Sequence, residues 1–329
     1  MPATFGKLRP QELQRLIDYR GAPREELIVG SHLGRDCGVL DFDGFLVSAT
    51  CDPITGVTNR AGALAVHLVA NDLAASGAEP VAILVSLIFP PPGNVAAIEQ
   101  TMREIDKTAK TLAITVAGGH TEISDIVNRP LIQCTGLGRL MKSRYPDVTK
   151  LQPADEIVMT KTAGIEGTAL LAENRARELS RSMRPEEIAR ARELFEHLSV
   201  LPEGRIAAEH DIHCLHDATE GGVVGAVWEV CAGQKLGFTL REDAVPIHPL
   251  TGRIGRAFDL DPLKLLSSGT LLIFTPASQP LIQDLHQAGI PAARIGTVES
   301  DPACCTIRRR NGTIEPVTTC PLDEFWRIK

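Results

Sequence analysis

Residues 61–89, AGALAVHLVANDLAASGAEPVAILVSLIF, carry the pattern on which the fold depends. The first half reads as a helix, because Ala61, Leu64, Ala65, Leu68 and Leu73 recur at helical spacing and Gly77 is placed to stop it. Val81 to Phe89 then reads as a near-continuous apolar strand, ended by Pro90–Pro91–Pro92. Asp72 falls on the same helical stripe as Leu68, Ala65 and Ala61. A carboxylate turned toward an apolar layer has to be hydrogen-bonded, paired or metal-bound, because isolated burial costs several kcal/mol or more. The alternative left open is that Asn71–Asp72 only finish the helix or face solvent.

Upstream, Pro10 to Tyr19 reads as a short helix. His32-Leu-Gly-Arg-Asp-Cys-Gly-Val-Leu40 leads into a hairpin with Asp43–Gly44 as its turn and Phe45 to Cys51 as the return strand, which delivers Asp52 at its end. Downstream, Asn94 caps a long amphipathic helix reaching about Leu112. Ala113 to Val116 is a short strand running into a glycine turn, Ala117-Gly-Gly-His-Thr-Glu122, and Leu131 to Leu140 is another strand. The polar stretch Ser143–Gln152 is the expected boundary between two domains, residues 1–147 and 148–329.

In the second half, Glu156 to Thr160 is a strand and Gly164 opens a helix. Arg175 to Glu196 reads as a solvated helical charge run. His213 to His216 is a strand leading to Asp217-Ala-Thr-Glu-Gly-Gly222, with a helix from Val223 to Cys231. Leu236 to Arg241, Thr270 to Pro276 and Ala292 to Val298 are further strands with helices between them. The alternation places both halves in the α/β (α+β) class.

Composition narrows the functional classes. A net charge of −7 over 329 residues argues against nucleic acid as a partner. The one tight basic run, Arg308–Arg309–Arg310, precedes Asn311–Gly312 and reads as a solvated hairpin turn. The eight cysteines show neither zinc-ligand spacing nor a disulfide framework. The N-terminus lacks a signal-peptide profile, and no apolar run approaches a membrane span. The reading is a reduced, cytoplasmic protein.

The chemistry lies in acids and glycines at strand ends. Asp36 sits in a Gly-Arg-Asp loop, Asp52 ends a strand and Asp72 closes the central helix. Gly118–Gly119 would let a ligand approach the backbone, and exposed N–H groups in such a turn can cradle phosphate oxygens. Separated carboxylates beside an anion cradle are what a magnesium–nucleotide site requires. There is no Walker A motif and no G-x-G-x-x-G, which disfavours the familiar nucleotide folds. His216–Asp217 at a strand-to-helix turn can orient a substrate or shuttle a proton, or Asp217 can serve as a helix N-cap.

Five segments occur in order along almost the whole chain: Gly34-Arg-Asp-Cys-Gly-Val39; Val69-Ala-Asn-Asp-Leu-Ala74 with Gly77-Ala-Glu-Pro80; Gly118-Gly-His-Thr121; His216-Asp-Ala-Thr-Glu-Gly-Gly222; and Ser267-Ser-Gly269. Together they resemble the aminoimidazole ribonucleotide (AIR) synthase, or PurM-like, superfamily, with the nearest likeness to the hydrogenase maturation factor HypE and AIR-synthase-related proteins. The resemblance implies a two-domain fold whose N-terminal domain builds a dimeric β-barrel with a second copy, and a C-terminal α/β domain. It further implies ATP and Mg²⁺ as cofactors, with the metal on Asp36, Asp52 and Asp72. Asn71, Gly118, Gly119, Thr121, Thr219 and Glu220 would contact the nucleotide, and Asp72, His120, His216 and Asp217 would be catalytic.

The implied reaction is ATP-dependent phosphorylation of an amide-like or other oxygen of a small or protein-borne acceptor. The alternatives are a small-molecule kinase like thiamine-monophosphate kinase and a non-catalytic nucleotide-binding maturation protein. HypE-type members have two acids in the first loop, where this chain has Arg35 before Asp36, and often Asp where this chain has His120. HypE ends in a cysteine that accepts the carbamoyl group, whereas this chain ends Cys320-Pro-Leu-Asp-Glu-Phe-Trp-Arg-Ile-Lys329, so that reaction is not expected. Selenophosphate synthetase is disfavoured because no nucleophilic Cys precedes the first acidic loop.

Overall fold

The computed structural model describes residues 6–8, 10–17, 19–54, 59–140 and 146–328. They form two compact units, one built from Arg24–Gly30 and Asp36–Tyr145, the other from Met1–Pro23, Ser31–Arg35 and Pro146–Lys329. The chain is mixed α/β with two sheets, as its alternating pattern requires. Helix α1 (Pro10–Ile17) comes first and groups with the second unit.

The first unit holds β1 (Leu27–Val29), β2 (Gly38–Phe42), β3 (Phe45–Ile54), α2 (Ala61–Ala75), β4 (Glu79–Phe89), α3 (Val95–Thr111), β5 (Thr115–Ile123) and β6 (Leu131–Leu140). Its sheet runs β1-β2-β3-β6-β4-β5, antiparallel except for the parallel β4–β5 pair that α3 connects. The β2–β3 turn is at Asp43 and Gly44, both at positive φ, as the Asp-Gly pair demands. Gly77, at φ 77°, ends α2 by donating to the Ala74 carbonyl while Ala78 donates back to Leu73. Asn94 caps α3 by accepting from the Ala97 amide at 3.2 Å.

Helix α2 packs on β3 and β6 and against α3, so it is buried nearly all round rather than along one stripe. Leu68, on the stripe with Asp72, is only half-buried. Strand β4 differs from its apolar reading in the same way. Ile83, Val85, Leu87 and Phe89 are buried, while Val81 and Leu84 are exposed, because the helices cover only one sheet face.

The glycine turn expected after Val116 does not exist. Residues 115–123 continue as edge strand β5, with Gly118 opposite Leu84, Gly119 opposite Val85 and Thr121 opposite Leu87. A Cβ on Gly119 would overlap the Val85 carbonyl, so the glycine serves close strand approach.

The second unit contains β7 (Glu156–Thr160), α4 (Ile165–Asn174), α5 (Ala176–Leu179), α6 (Pro185–Glu193), α7 (Leu201–Ala207), β8 (Cys214–Ala218), α8 (Gly222–Gly233), β9 (Gly237–Arg241), α9 (Pro249–Phe258), β10 (Thr270–Thr275), α10 (Ser278–Gln287), β11 (Ala292–Glu299), β12 (Cys305–Arg308) and β13 (Ile314–Pro316). Its sheet order is β13-β12-β9-β11-β7-β10-β8. Phe238, Phe274, Val227 and Met159 are fully buried in its core.

The Arg175–Glu196 run is broken into α5, α6 and a 3-10 turn, and it is not wholly solvated. Leu179, Met183, Ile188 and Ala191 are buried, and Glu187 accepts from the Arg184 amide at 2.9 Å. At the Asn311–Gly312 turn, Arg309 is held by Asp261 at 2.7 Å and Glu315 at 2.5 Å, so one arginine of the basic run is structural. All eight cysteines are free thiols. Among the described residues no helix is long and apolar enough to cross a membrane.

Candidate functional site

In the first unit the polar focus is Asp72. Its helix is apolar around it, yet the carboxylate is buried and its neighbour Asn71 is fully enclosed. Strand β3 supplies the compensation: Thr50 Oγ1 donates to Asp72 Oδ2 at 2.5 Å. The Cys37 thiol donates to the Asp72 main-chain carbonyl at 3.3 Å, which ties the segment at Asp36–Cys37 to the helix end. Burial, and then the charge of Asp72, pushes the Cys37 thiol well above its ordinary range, so it acts as a donor and not as a nucleophile.

A carboxylate oxygen of Asp36 lies within 4.8 Å of one from Asp72. Two carboxylates from separate elements, one oriented by a hydroxyl, match the hard oxygen donors that a divalent cation takes. Asp52 lies inside β3, not at its end, on the face it shares with Thr50 about 7 Å further along the strand. It is outside the Asp36–Asp72 grouping.

The remaining first-unit candidates lie on β5, whose nine residues are all exposed. His120 Nε2 is 3.0 Å from Glu122 Oε2 across the two-residue repeat of the strand. Gly118, Gly119 and Thr121 thus present an open strand edge instead of a closed anion-binding turn.

In the second unit His216 and Asp217 are both buried within β8, opposite Leu272 and Leu271 of β10. Asp217 is not a helix cap, since Gly221 occupies that position on α8. His216 Nε2 lies 3.5 Å from Glu229 Oε2, and the same oxygen is 3.6 Å from Lys7 Nζ. Burial pushes the Glu229 carboxyl up, but Lys7 and His216 outweigh it and hold it down at about 2. The Cys320 thiol stands 3.9 Å from Glu229 and is pushed up to about 12 by burial and by that carboxylate.

Thr219 and Glu220 follow β8 in the loop that starts α8. Thr219 Oγ1 accepts from Lys7 Nζ at 3.3 Å. Both Glu220 oxygens are engaged, one by the Lys7 amide at 3.0 Å and the other by the Trp326 indole N–H.

Sequence reasoning missed Thr50, Glu229 and Lys7. Glu229 had a signal, because it is the one charged residue in the apolar helix GVVGAVWEVCAG. Thr50 and Lys7 had none, since their partners are distant in sequence.

Family comparison agrees with this architecture. The N-terminal domain of the AIR synthase related protein family matches residues 34–140, and the C-terminal domain of the same family matches residues 152–304. The chain belongs to the AIR synthase related, PurM-like family. Among its relatives is a hydrogenase expression/formation protein of Methanocaldococcus jannaschii, 29% identical over 224 residues, covering 68% of this chain and 64% of the relative. Another is the carbamoyl dehydratase HypE of Cupriavidus necator, 26% identical over 246 residues, covering 73% of this chain and 68% of the relative. The chain thus spans about two thirds of the length of these relatives.

Solved structures share the fold. HypE from a HypE–HypF complex has a TM-score of 0.76 at 19% identity, covering 94% of this chain and 99% of that one. A ThiL complexed with AMPPCP and TMP has a TM-score of 0.74 at 15% identity, covering 96% and 99%.

Proposed function

We propose that the chain is an ATP- and Mg²⁺-dependent enzyme that phosphorylates an amide-like or other oxygen of a small-molecule or protein-borne acceptor. The observation that carries this reading is the buried Asp72 carboxylate, oriented by Thr50 and within 4.8 Å of Asp36. A carboxylate placed so deep in an apolar helix costs stability that a purely structural role would not require.

Asp36, Asp72 and Asp52 are the acids that would hold the metal ion, the first two already brought together and Asp52 further along the strand face of Thr50. The ion, when bound, offsets the repulsion between carboxylates and phosphate oxygens. Asn71 and the open edge of β5 at Gly118, Gly119 and Thr121 are the proposed phosphate contacts. In the second unit, His216, whose Nε2 lies 3.5 Å from the Glu229 carboxylate, is the proposed group for moving a proton. The protein's own contribution is chiefly positioning and charge stabilisation during phosphoryl transfer.

The exposed apolar residues Val81, Leu84 and Val116 on β4 and β5 support pairing of the first unit with a second copy of the chain. The primary test is calorimetric titration with ATP, with and without Mg²⁺, while phosphate release is followed in parallel. Magnesium-dependent binding is expected, and absence of binding under both conditions would overturn the enzyme reading. Recovery of the γ-phosphate on a stable product would favour the small-molecule kinase form of the reaction over dehydration or ring closure.

A further inference from the structure

The loop between β8 and α8 is tied down by both ends of the chain's second unit. From the C-terminal side, Asp323 Oδ2 accepts from the Gly221 amide at 2.6 Å, and Asp323 Oδ1 accepts from Leu266 at 3.3 Å and Phe325 at 2.8 Å. The Trp326 indole N–H donates to Glu220 Oε1, and the Trp326 ring stands edge-on to Phe325 at 5.3 Å between centroids. From the N-terminal side, the Lys7 amide donates to Glu220 Oε2 at 3.0 Å and Lys7 Nζ reaches Thr219 Oγ1 at 3.3 Å. Gly6 is packed so closely that a Cβ there would run into both Glu220 and Trp326.

These contacts are unusual for a surface tail. Asp323 is only 3% exposed, and a buried carboxylate is tolerated here because three N–H groups surround it. A loop whose glycines at 221 and 222 have φ of 83° and 64° is free to adopt many conformations unless something outside it selects one. Within the loop the Gly222 amide donates to the Thr219 carbonyl at 3.1 Å, and the Glu220 carboxylate is engaged by Lys7 and Trp326.

We infer that residues 323–326, with Gly6–Lys7, form a clasp that holds the Thr219–Gly222 loop in a single conformation. Asp323 and Trp326 are then positioning residues, and Glu220 is the clasp's anchor in the loop and not a nucleotide ligand. The effect on nucleotide binding rests on the function proposed above and on the nucleotide contact that the family resemblance implies for Thr219; the clasp itself does not.

The test compares wild type with Trp326→Phe, which keeps an aromatic side chain but removes the indole donor and part of the ring, and with Asp323→Asn. Amide hydrogen exchange at Gly221 and Gly222 is expected to accelerate about tenfold or more in each variant, as loss of a charge-assisted hydrogen bond permits, while β10 stays protected. Unchanged exchange at these glycines would overturn the clasp. Calorimetry with ATP and Mg²⁺ on the same proteins is expected to show about tenfold weaker affinity in Trp326→Phe. A loosened loop with wild-type affinity would overturn the positioning role. If wild type itself binds no nucleotide, the proposed function fails, and the exchange comparison still decides the clasp.

Discussion

Thr50 Oγ1 donates to Asp72 Oδ2 at 2.5 Å, joining the middle of β3 to the last turn of α2, a helix otherwise buried through alanine, valine and leucine. Buried acceptors that lose their donor carry the full desolvation cost of the group. Thr50→Val preserves side-chain shape and removes the donor, so it is expected to destabilise the protein by about 1–3 kcal/mol. Chemical denaturation measures this directly. In combination with Asp72→Ala, which removes the acceptor, the loss should be smaller than the sum of the single changes, because both remove one interaction.

Asp72→Asn alone has a different expected signature. The amide still accepts from Thr50, so the fold persists, but the charge next to Asp36 is gone. ATP turnover should be abolished while the circular dichroism spectrum is unchanged. Normal phosphate release by this variant would remove Asp72 from the mechanism.

Glu166, buried in the first turn of α4, has its carboxyl raised from 4.5 to about 7, chiefly by burial, which Ser268 partly offsets and to which Glu220 adds a smaller push. A carboxyl whose folded value is raised binds more protons folded than unfolded, so stability falls as pH rises from about 4.5 to about 7. Glu166→Gln cannot ionise. Above pH 7 it should be the more stable protein, by up to about 3 kcal/mol, with the advantage vanishing near pH 4. Melting temperatures across that range check the sign. Glu229, held at about 2, works in reverse: its contribution is present above 4.5 and lost as pH falls toward 2.

The exposed face of β4 and β5 yields a prediction about assembly. Leu84→Lys with Val116→Lys places charge on apolar surface that is 41% and 36% exposed in the single chain. Light scattering should show wild type as a dimer and the double variant as a monomer of 35.5 kDa. A monomeric wild type would remove the second copy from the proposal.

Much of the architecture was legible along the chain because it follows local rules. Helix α2, its glycine stop, the Asp-Gly hairpin, the Asn94 cap and strands β7 to β11 of the second unit all depend on periodicity and turn chemistry within a few residues. The glycine segment at 118–119 misled for a physical reason. Gly-Gly marks a turn when nothing packs on it, but here the backbone of β4 comes close enough to require the missing Cβ, and the segment stays extended. Asp217 was displaced from a cap into β8 because pairing with β10 continues through it.

The primary sequence by itself determined the alternating class, the order of the elements and the presence of a carboxylate in an apolar helix, since each is written in neighbouring residues. Only the tertiary structure decided how those acids are satisfied. Thr50 meets Asp72 from 22 positions away, Lys7 reaches Thr219 from 212, and Trp326 reaches Glu220 from 106. A hydrogen bond depends on distance in space and not along the chain, so partners brought together by sheet order and closing tails leave no local pattern to read.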